Sequence, residues 1–366
     1  MTDKNMSREK RYNRYKIILS ITEMVLGLLF LLLIVTTGFS QSVETWIRTI
    51  TKNDYLVLLL FTAIIGGLDM IIMLPISWYS GYYLEHKFDL SNQTFGQWVW
   101  EKTKGMLVSI PIALVLLVIF YALLKNFATY WWAIMATVML VFSVILARLA
   151  PVLIFPLFYD FDELEDQELA EKVEELCNQV GMDLKGVYQF NLSKNTKKGN
   201  AAFTGLGKSR RVILGDTMLE ELDHDEILAV LAHELGHYKL KHLWKGMLMS
   251  VVMTYTGLFL VSLLYNQFYP LVGENHYTIA ALPIMAIILS IYSFVTSPIS
   301  NAYSRKNERE ADDFAVNLAG DNQAFISGLE KLSKQNLSDP DPHPLTVFFY
   351  YSHPPINERM ARLENK

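Results

Sequence analysis

The chain has 366 residues, 52% of them hydrophobic and 19% charged, and a formal net charge of −5. That is too little charge for an ordinary soluble domain, in which about 25% of residues are charged; the weak acidity says little about partners, among which nucleic acid is not expected. The single cysteine, Cys177, excludes an intramolecular disulfide and any Cys-rich metal site, and is expected to pack in a helix.

From the N-terminus, a basic segment with Lys4, Arg8, Lys10, Arg11, Arg14 and Lys16 leads into an apolar block over 17–38. The block is too long for a signal peptide and has no small-residue cleavage site, so it reads as a retained anchor. Further blocks follow over 55–78, 106–124 and 131–154. Each is close to the roughly 20 residues that cross a bilayer as a helix. Glu23 and Asp69 sit inside the first two, where a carboxylate is either functional or paired and near water.

An aqueous stretch over 157–243 comes next. Glu163 to Val180 has helical periodicity and stops at Gly181. Gly186–Phe190, Ala201–Thr204 and Arg211–Leu214 read as strands, the last two joined by a turn at Gly205-Leu206-Gly207-Lys208-Ser209. Asp223 and Glu226 form a capping pair before the run Ile227, Leu228, Val230, Leu231. That run carries His233-Glu234-Leu235-Gly236-His237. Two further spans, 244–265 and 278–300, precede a second aqueous stretch over 301–366. On one side the connecting loops hold only Arg48, Lys52 and Lys125, so the excess of basic residues puts both termini and the histidine motif in the cytoplasm. The expected organisation is a membrane region at 1–156 with four spans, a first catalytic part at 157–243, a transmembrane hairpin at 244–300 and a second catalytic part at 301–366.

On a helix, His233 and His237 share a face and can bind one metal ion, and Glu234 beside them can take a proton from the attacking water. The polar, basic continuation Tyr238 to His242 places the motif at a membrane surface rather than mid-bilayer. A catalytic zinc site needs a third protein ligand, and here it must be histidine or carboxylate. Glu308 and Asp312, four apart in Ser304–Ala315, suit it: one could bind metal while the other orients a ligand histidine, with Glu310 and Asp313 as rivals. His86, His224, His242, His276 and His343 read as surface or structural.

His233–His237 followed by Ser304–Ala315 resembles the integral-membrane zinc metalloproteases of the type-1 CAAX prenyl protease family, which also process the a-factor pheromone. The likeness extends through Gly81–Phe88, Phe155–Phe158, Gly199–Gly205, Val212–Thr217 and Ser352–Pro355. It implies a mainly α fold, a helical barrel of about six spans enclosing a chamber, capped by an α+β zincin-type (gluzincin) domain. It also implies one Zn2+ held by His233, His237 and Glu308, with Asp312 supporting a ligand histidine. Asn200 falls on the substrate-binding edge and His353 in the active site, where it can donate to the oxyanion. An extended peptide would pair with the strand around Asn200, Ala201 and Phe203. Six spans, Ala202 where tyrosine is common, and no long loop between the last two spans look more like a bacterial member, in a plasma membrane rather than an endoplasmic reticulum membrane. The expected activity is zinc-dependent endoproteolysis of CAAX type on lipidated proteins or peptides, with peptide and membrane lipid as partners. Quality control of membrane proteins by the same chemistry is the second reading; a non-catalytic scaffold or transporter is the third.

Overall fold

The computed structural model describes residues 6–205, 210–320 and 322–365. Of the turn expected at Gly205–Ser209, all but Gly205 lies outside them. Among the described residues, six helical segments are long and apolar enough to cross a membrane, one for each apolar block expected.

The first half is helical. α1 (Arg8–Thr36) starts at Ser7, whose side chain accepts from the Lys10 amide. α2 (Phe39–Ile50) is short and buries Ser40, Val43, Glu44 and Ile47. α3 (Asp54–Trp78) passes through a π-turn at Tyr79–Tyr83 into α4 (Leu84–Lys87). α5 (Phe95–Asn126) opens on a Thr94–Gln97 capping box, and α6 (Trp131–Leu149) continues as a second π-turn at Ala150–Ile154. Many large apolar side chains on these helices stay exposed, such as Ile71, Leu107 and Val115. That is the pattern of surfaces that face hydrocarbon, where helices satisfy their own backbone groups.

α2 closes one end of the bundle through charge. Glu44 accepts from the Ala280 amide at 2.7 Å, Arg48 bridges Glu44 and Asp54, and Lys125 meets Asp54 at 2.7 Å.

The remaining chain builds a small sheet and its covering helices. β1 (Phe161–Glu163), α7 (Gln167–Gln179), β2 (Val187–Phe190), β3 (Ala201–Thr204) and β4 (Arg211–Gly215) lead to α8 (Asp216–Glu221) and α9 (His224–Lys239). The expected helix from Glu163 begins later, because Glu163 pairs with Tyr188 in β1 and Asp166 caps α7. The sheet order is β1-β2-β4-β3; β2 and β4 are parallel, the other pairs antiparallel, and β3 is an edge. Cys177 is buried on α7, as expected.

α10 (His242–Phe268) and α11 (Leu282–Ala319) are the last two spans, followed by α12 (Asn322–Gln335), α13 (Pro344–Tyr350) and α14 (Ile356–Glu364). One apolar core joins the two aqueous stretches: it runs from Leu164, Val173, Leu214 and Leu231 to Ala315, Phe325 and Leu363. A cavity of about 1370 Å³ lies among the spans. All six contribute to its wall, including Glu23 of α1, Asp69 of α3, Met135 of α6 and Asn307 of α11. Both intramembrane carboxylates of the sequence therefore face this space rather than lipid.

Candidate metal centre

α9 is fixed at its start by a capping box. The Glu226 amide donates to Asp223 at 3.0 Å and the Asp223 amide donates to Glu226 at 2.9 Å. Glu226 is buried, and it also accepts from Ser327 Oγ at 2.6 Å and Lys331 Nζ at 2.7 Å on α12. Burial opposes its charge, but Lys331 and Ser327 outweigh it and hold the carboxyl below its usual range.

One helical turn apart on α9, His233 and His237 bring their Nε2 atoms to 3.2 Å. α11 supplies a carboxylate from the facing side: Glu308 Oε2 is 3.2 Å from His233 Nε2, and Oε1 is 3.4 Å from His237 Nε2. The approach is close because residue 236 is glycine; a Cβ there would lie 3.0 Å from Ala311 Cα and 3.1 Å from its carbonyl oxygen.

These distances suit a cation. Bonds of about 2.0–2.1 Å in tetrahedral geometry separate neighbouring ligand atoms by about 3.3 Å. Glu308 Oε2 is buried and has no partner in hydrogen-bonding geometry despite its nearness to His233. A buried carboxylate with one orphaned oxygen, facing two imidazole nitrogens, is a donor set that can hold a metal ion. Among the described residues, His233, His237 and Glu308 form the one group of three or more such donors close enough to share an ion.

Each histidine is held from behind. Asp312 Oδ1 lies 2.8 Å from His233 Nδ1, and Arg359 of α14 grips Asp312 with two bonds of 2.9 and 2.5 Å. Burial works against a charge on His233, but Asp312 and Glu308 raise its pKa to about 9; a cation entering the group would displace that proton. Burial, reinforced by His233, lowers His237 to about 4 and keeps it neutral near pH 7. Its Nδ1 is 3.0 Å from Nδ1 of His242, whose Nε2 is 3.1 Å from Glu310 Oε2. Glu234 follows His233 and projects from the same turn; burial raises its carboxyl above the ordinary range. His353 comes from the segment after α13, its Nε2 3.4 Å from Glu308 Oε1. That segment is tied to α11: buried Arg305 donates to the carbonyls of Val347 and Tyr351 at 2.9 and 2.7 Å.

The structure thus brings together His233, Glu234, His237, Glu308, Asp312 and His353. Asn200, Ala201 and Phe203 sit on or just before the edge strand β3, which runs beside α9, and are not part of the converging group. Asn200 itself is exposed, and its carbonyl accepts from Gly215 at 2.9 Å. Of the five histidines read as surface or structural, His242 departs: it is buried against a candidate ligand. His86, His224, His276 and His343 make backbone, capping or surface contacts. Arg359 and Arg305 carried no sequence signal. Each is one of two arginines in a charged helix, with Arg309 and Arg362 beside them, and only the fold gives it its buried partner.

Residues 163–366 match the family model described as peptidase family M48, and residues 1–160 match that described as the CAAX prenyl protease N-terminal region with five membrane helices. Here those 160 residues hold four span-length helices and the short α2. Among curated relatives, the metalloprotease YhfN of Bacillus subtilis is 30% identical over all of this chain and 87% of its own length. CAAX prenyl protease 1 of Saccharomyces cerevisiae is 30% identical over 84% of this chain and 72% of its own. Among solved structures, Ste24p of S. mikatae superposes with a TM-score of 0.88 at 27% identity, covering 100% of this chain and 90% of that one.

Proposed function

Because the chain belongs to peptidase family M48, in the branch that carries a CAAX prenyl protease membrane region, we propose that it is a zinc-dependent CAAX-type endopeptidase of a bacterial plasma membrane. It is an integral multi-pass membrane metalloprotease and acts on peptides or proteins; the scaffold and transporter readings fall away. The observation that carries the reading is the convergence of His233, His237 and Glu308 at 3.2–3.4 Å, with Glu234 beside them, next to a cavity that reaches Asn307.

In this reading His233, His237 and Glu308 hold the ion, and Asp312, locked by Arg359, orients His233. Zinc supplies Lewis acidity, polarising a peptide carbonyl and lowering the pKa of water towards about 7. Glu234 takes the proton of the attacking water and returns it to the leaving amine; its raised pKa suits both halves of that cycle. His353 donates from Nε2 to the oxyanion. The peptide adds as a strand along the edge of β3 at Ala201 and Phe203, with the exposed Asn200 beside it. The catalytic unit comprises 157–243 and 301–366, split by the hairpin at 244–300 and carried on the membrane region at 1–156; the apolar core shared by the two stretches supports that division. Few basic residues at the α2 end favour a cytoplasmic metal centre, and the full-length likeness to a B. subtilis relative favours a bacterial membrane over the endoplasmic reticulum. A cavity with a mostly apolar wall can take a lipidated chain end, in keeping with the yeast and plant relatives, which are named CAAX prenyl protease 1 and a homolog of it.

The test is cleavage of a farnesylated CAAX-type peptide and its unlipidated twin by purified protein, with and without a zinc chelator. Chelator-sensitive cutting that prefers the lipidated peptide is expected. Equal cutting of both would replace CAAX processing with general membrane-protein quality control, and chelator-resistant cutting would remove the metal assignment.

A further inference from the structure

The two histidines of the metal group are oriented by different devices. His233 is met directly by a carboxylate, Asp312 Oδ1 at 2.8 Å. His237 is met by another histidine. The chain turns back after α9 with Lys241 at φ 59°, in the left-handed region that a lysine rarely adopts. This reversal lays His242, the first residue of α10, over His237. His242 is 5% exposed, touching His237 on one side and Glu310 on the other.

The protons in this row have one consistent arrangement. Ionised Glu310 can only accept a hydrogen bond, and Lys245 at 3.6 Å and Lys306 at 3.8 Å favour its charge. His242 Nε2, 3.1 Å away, must therefore carry a hydrogen. Neutral His242 then presents a lone pair at Nδ1, so His237 Nδ1, at 3.0 Å, is the donor. What remains on His237 is a lone pair at Nε2, aimed at His233 Nε2 and Glu308. The carboxylate at one end of the row thus leaves a free electron pair at the other.

We propose that Glu310 and His242 form a positioning relay that fixes the His237 tautomer and ring orientation, and so sets the affinity of the metal group. It rests on His237 being a ligand, as argued above. Outer partners of this kind are worth 10–100-fold in metal affinity. The geometry also separates two rival carboxylates of one helix: Asp312 serves His233, while Glu310 serves His237 through an intermediary.

The experiment uses full-length purified protein and Zn2+ itself, titrated against a chromophoric chelator, with the cobalt(II) absorption spectrum as a second readout. His242→Phe, which removes both bonds, is expected to weaken zinc binding by about 10–100-fold, and Glu310→Ala by about 10-fold. Glu310→Gln keeps an accepting oxygen and should stay near wild type in both affinity and spectrum. His242→Asn, which can still accept from His237, should fall between. If His242→Phe does not fold, the Glu310 pair decides, since that side chain lies on the surface edge of the row. Affinities within about twofold of wild type for His242→Phe and Glu310→Ala would overturn the relay. A His237→Ala control separates the two ideas: wild-type affinity there overturns the ligand assignment, while a defect there beside normal His242 and Glu310 variants overturns the relay alone.

Discussion

Glu234 and Asp312 are half-buried and buried carboxylates beside the same histidine, yet their surroundings differ in kind. Asp312 has a guanidinium gripping both oxygens and an imidazole at 2.8 Å. Glu234 has no hydrogen-bond partner among the described residues, and burial raises its pKa. The first is held in place; the second is poised to change protonation. Glu234→Gln should lower turnover by about 10²–10⁴-fold while zinc content stays at the wild-type level; metal analysis beside peptide cleavage checks it, and unchanged turnover would remove Glu234 from its role as base. Arg359→Ala leaves Asp312 with only His233 as partner, and should cost about 3 kcal/mol in thermal unfolding. The sequence makes His233, Glu234 and His237 legible because helix spacing is local: residues four apart must share a face. Arg359 and His242 were not legible. Arg359 lies 126 positions from the histidine it supports. His242 is five positions from His237, off the helical face, and meets it only because Lys241 takes an unusual backbone conformation.

Helix placement decides whether the three donors meet. α9 and α11 touch where Gly236 faces the Ala311 backbone, so a larger residue there must push α11, and Glu308 with it, away from the histidines. Gly236→Leu is expected to abolish zinc retention and Gly236→Ala to weaken it, read by metal content after gel filtration; full retention by Gly236→Leu would show that the helices can separate without losing the ion. The start of α9 matters too. Glu226→Gln should destabilise the fold by about 1–3 kcal/mol, through a weakened cap and the lost pairing with Lys331. The folded-state pKa of Glu226 is depressed, so its contribution is complete above the unfolded value of about 4.3 and disappears as pH falls through the lower folded value. The melting-temperature gap between wild type and Glu226→Gln should therefore be constant from neutrality to about pH 5 and close below it; a gap that persists at low pH would point to packing instead of charge. The capping box was legible as Asp223–Glu226. β1 was not: Phe161–Glu163 is too short to show alternation, and only pairing with Tyr188–Phe190 makes it a strand.

At the level of the molecule, the spans read easily as apolar blocks, but the cavity among them did not. Cavity-facing and lipid-facing surfaces are both apolar, so periodicity cannot tell an inner face from an outer one; only Glu23 and Asp69 hinted at a second environment. The metal group joins α9 to α11, and hence the sheet-bearing part to the last span. Zinc at 100 times its dissociation constant should therefore stabilise the protein by about 2.7 kcal/mol, seen as a rise in melting temperature that chelator reverses and His237→Ala lacks. α11 is one continuous helix of 38 residues, entering from the far side of the bundle and ending beyond Asp312. Its order in the chain has a consequence for synthesis. His233 and His237 are translated before α10 and α11, the two helices of the hairpin. The third donor, Glu308, follows only after α10 and most of α11, and His353 and Arg359 come later still. On the proposed ligand set, a half-made chain therefore lacks a complete metal group until α11 has been made.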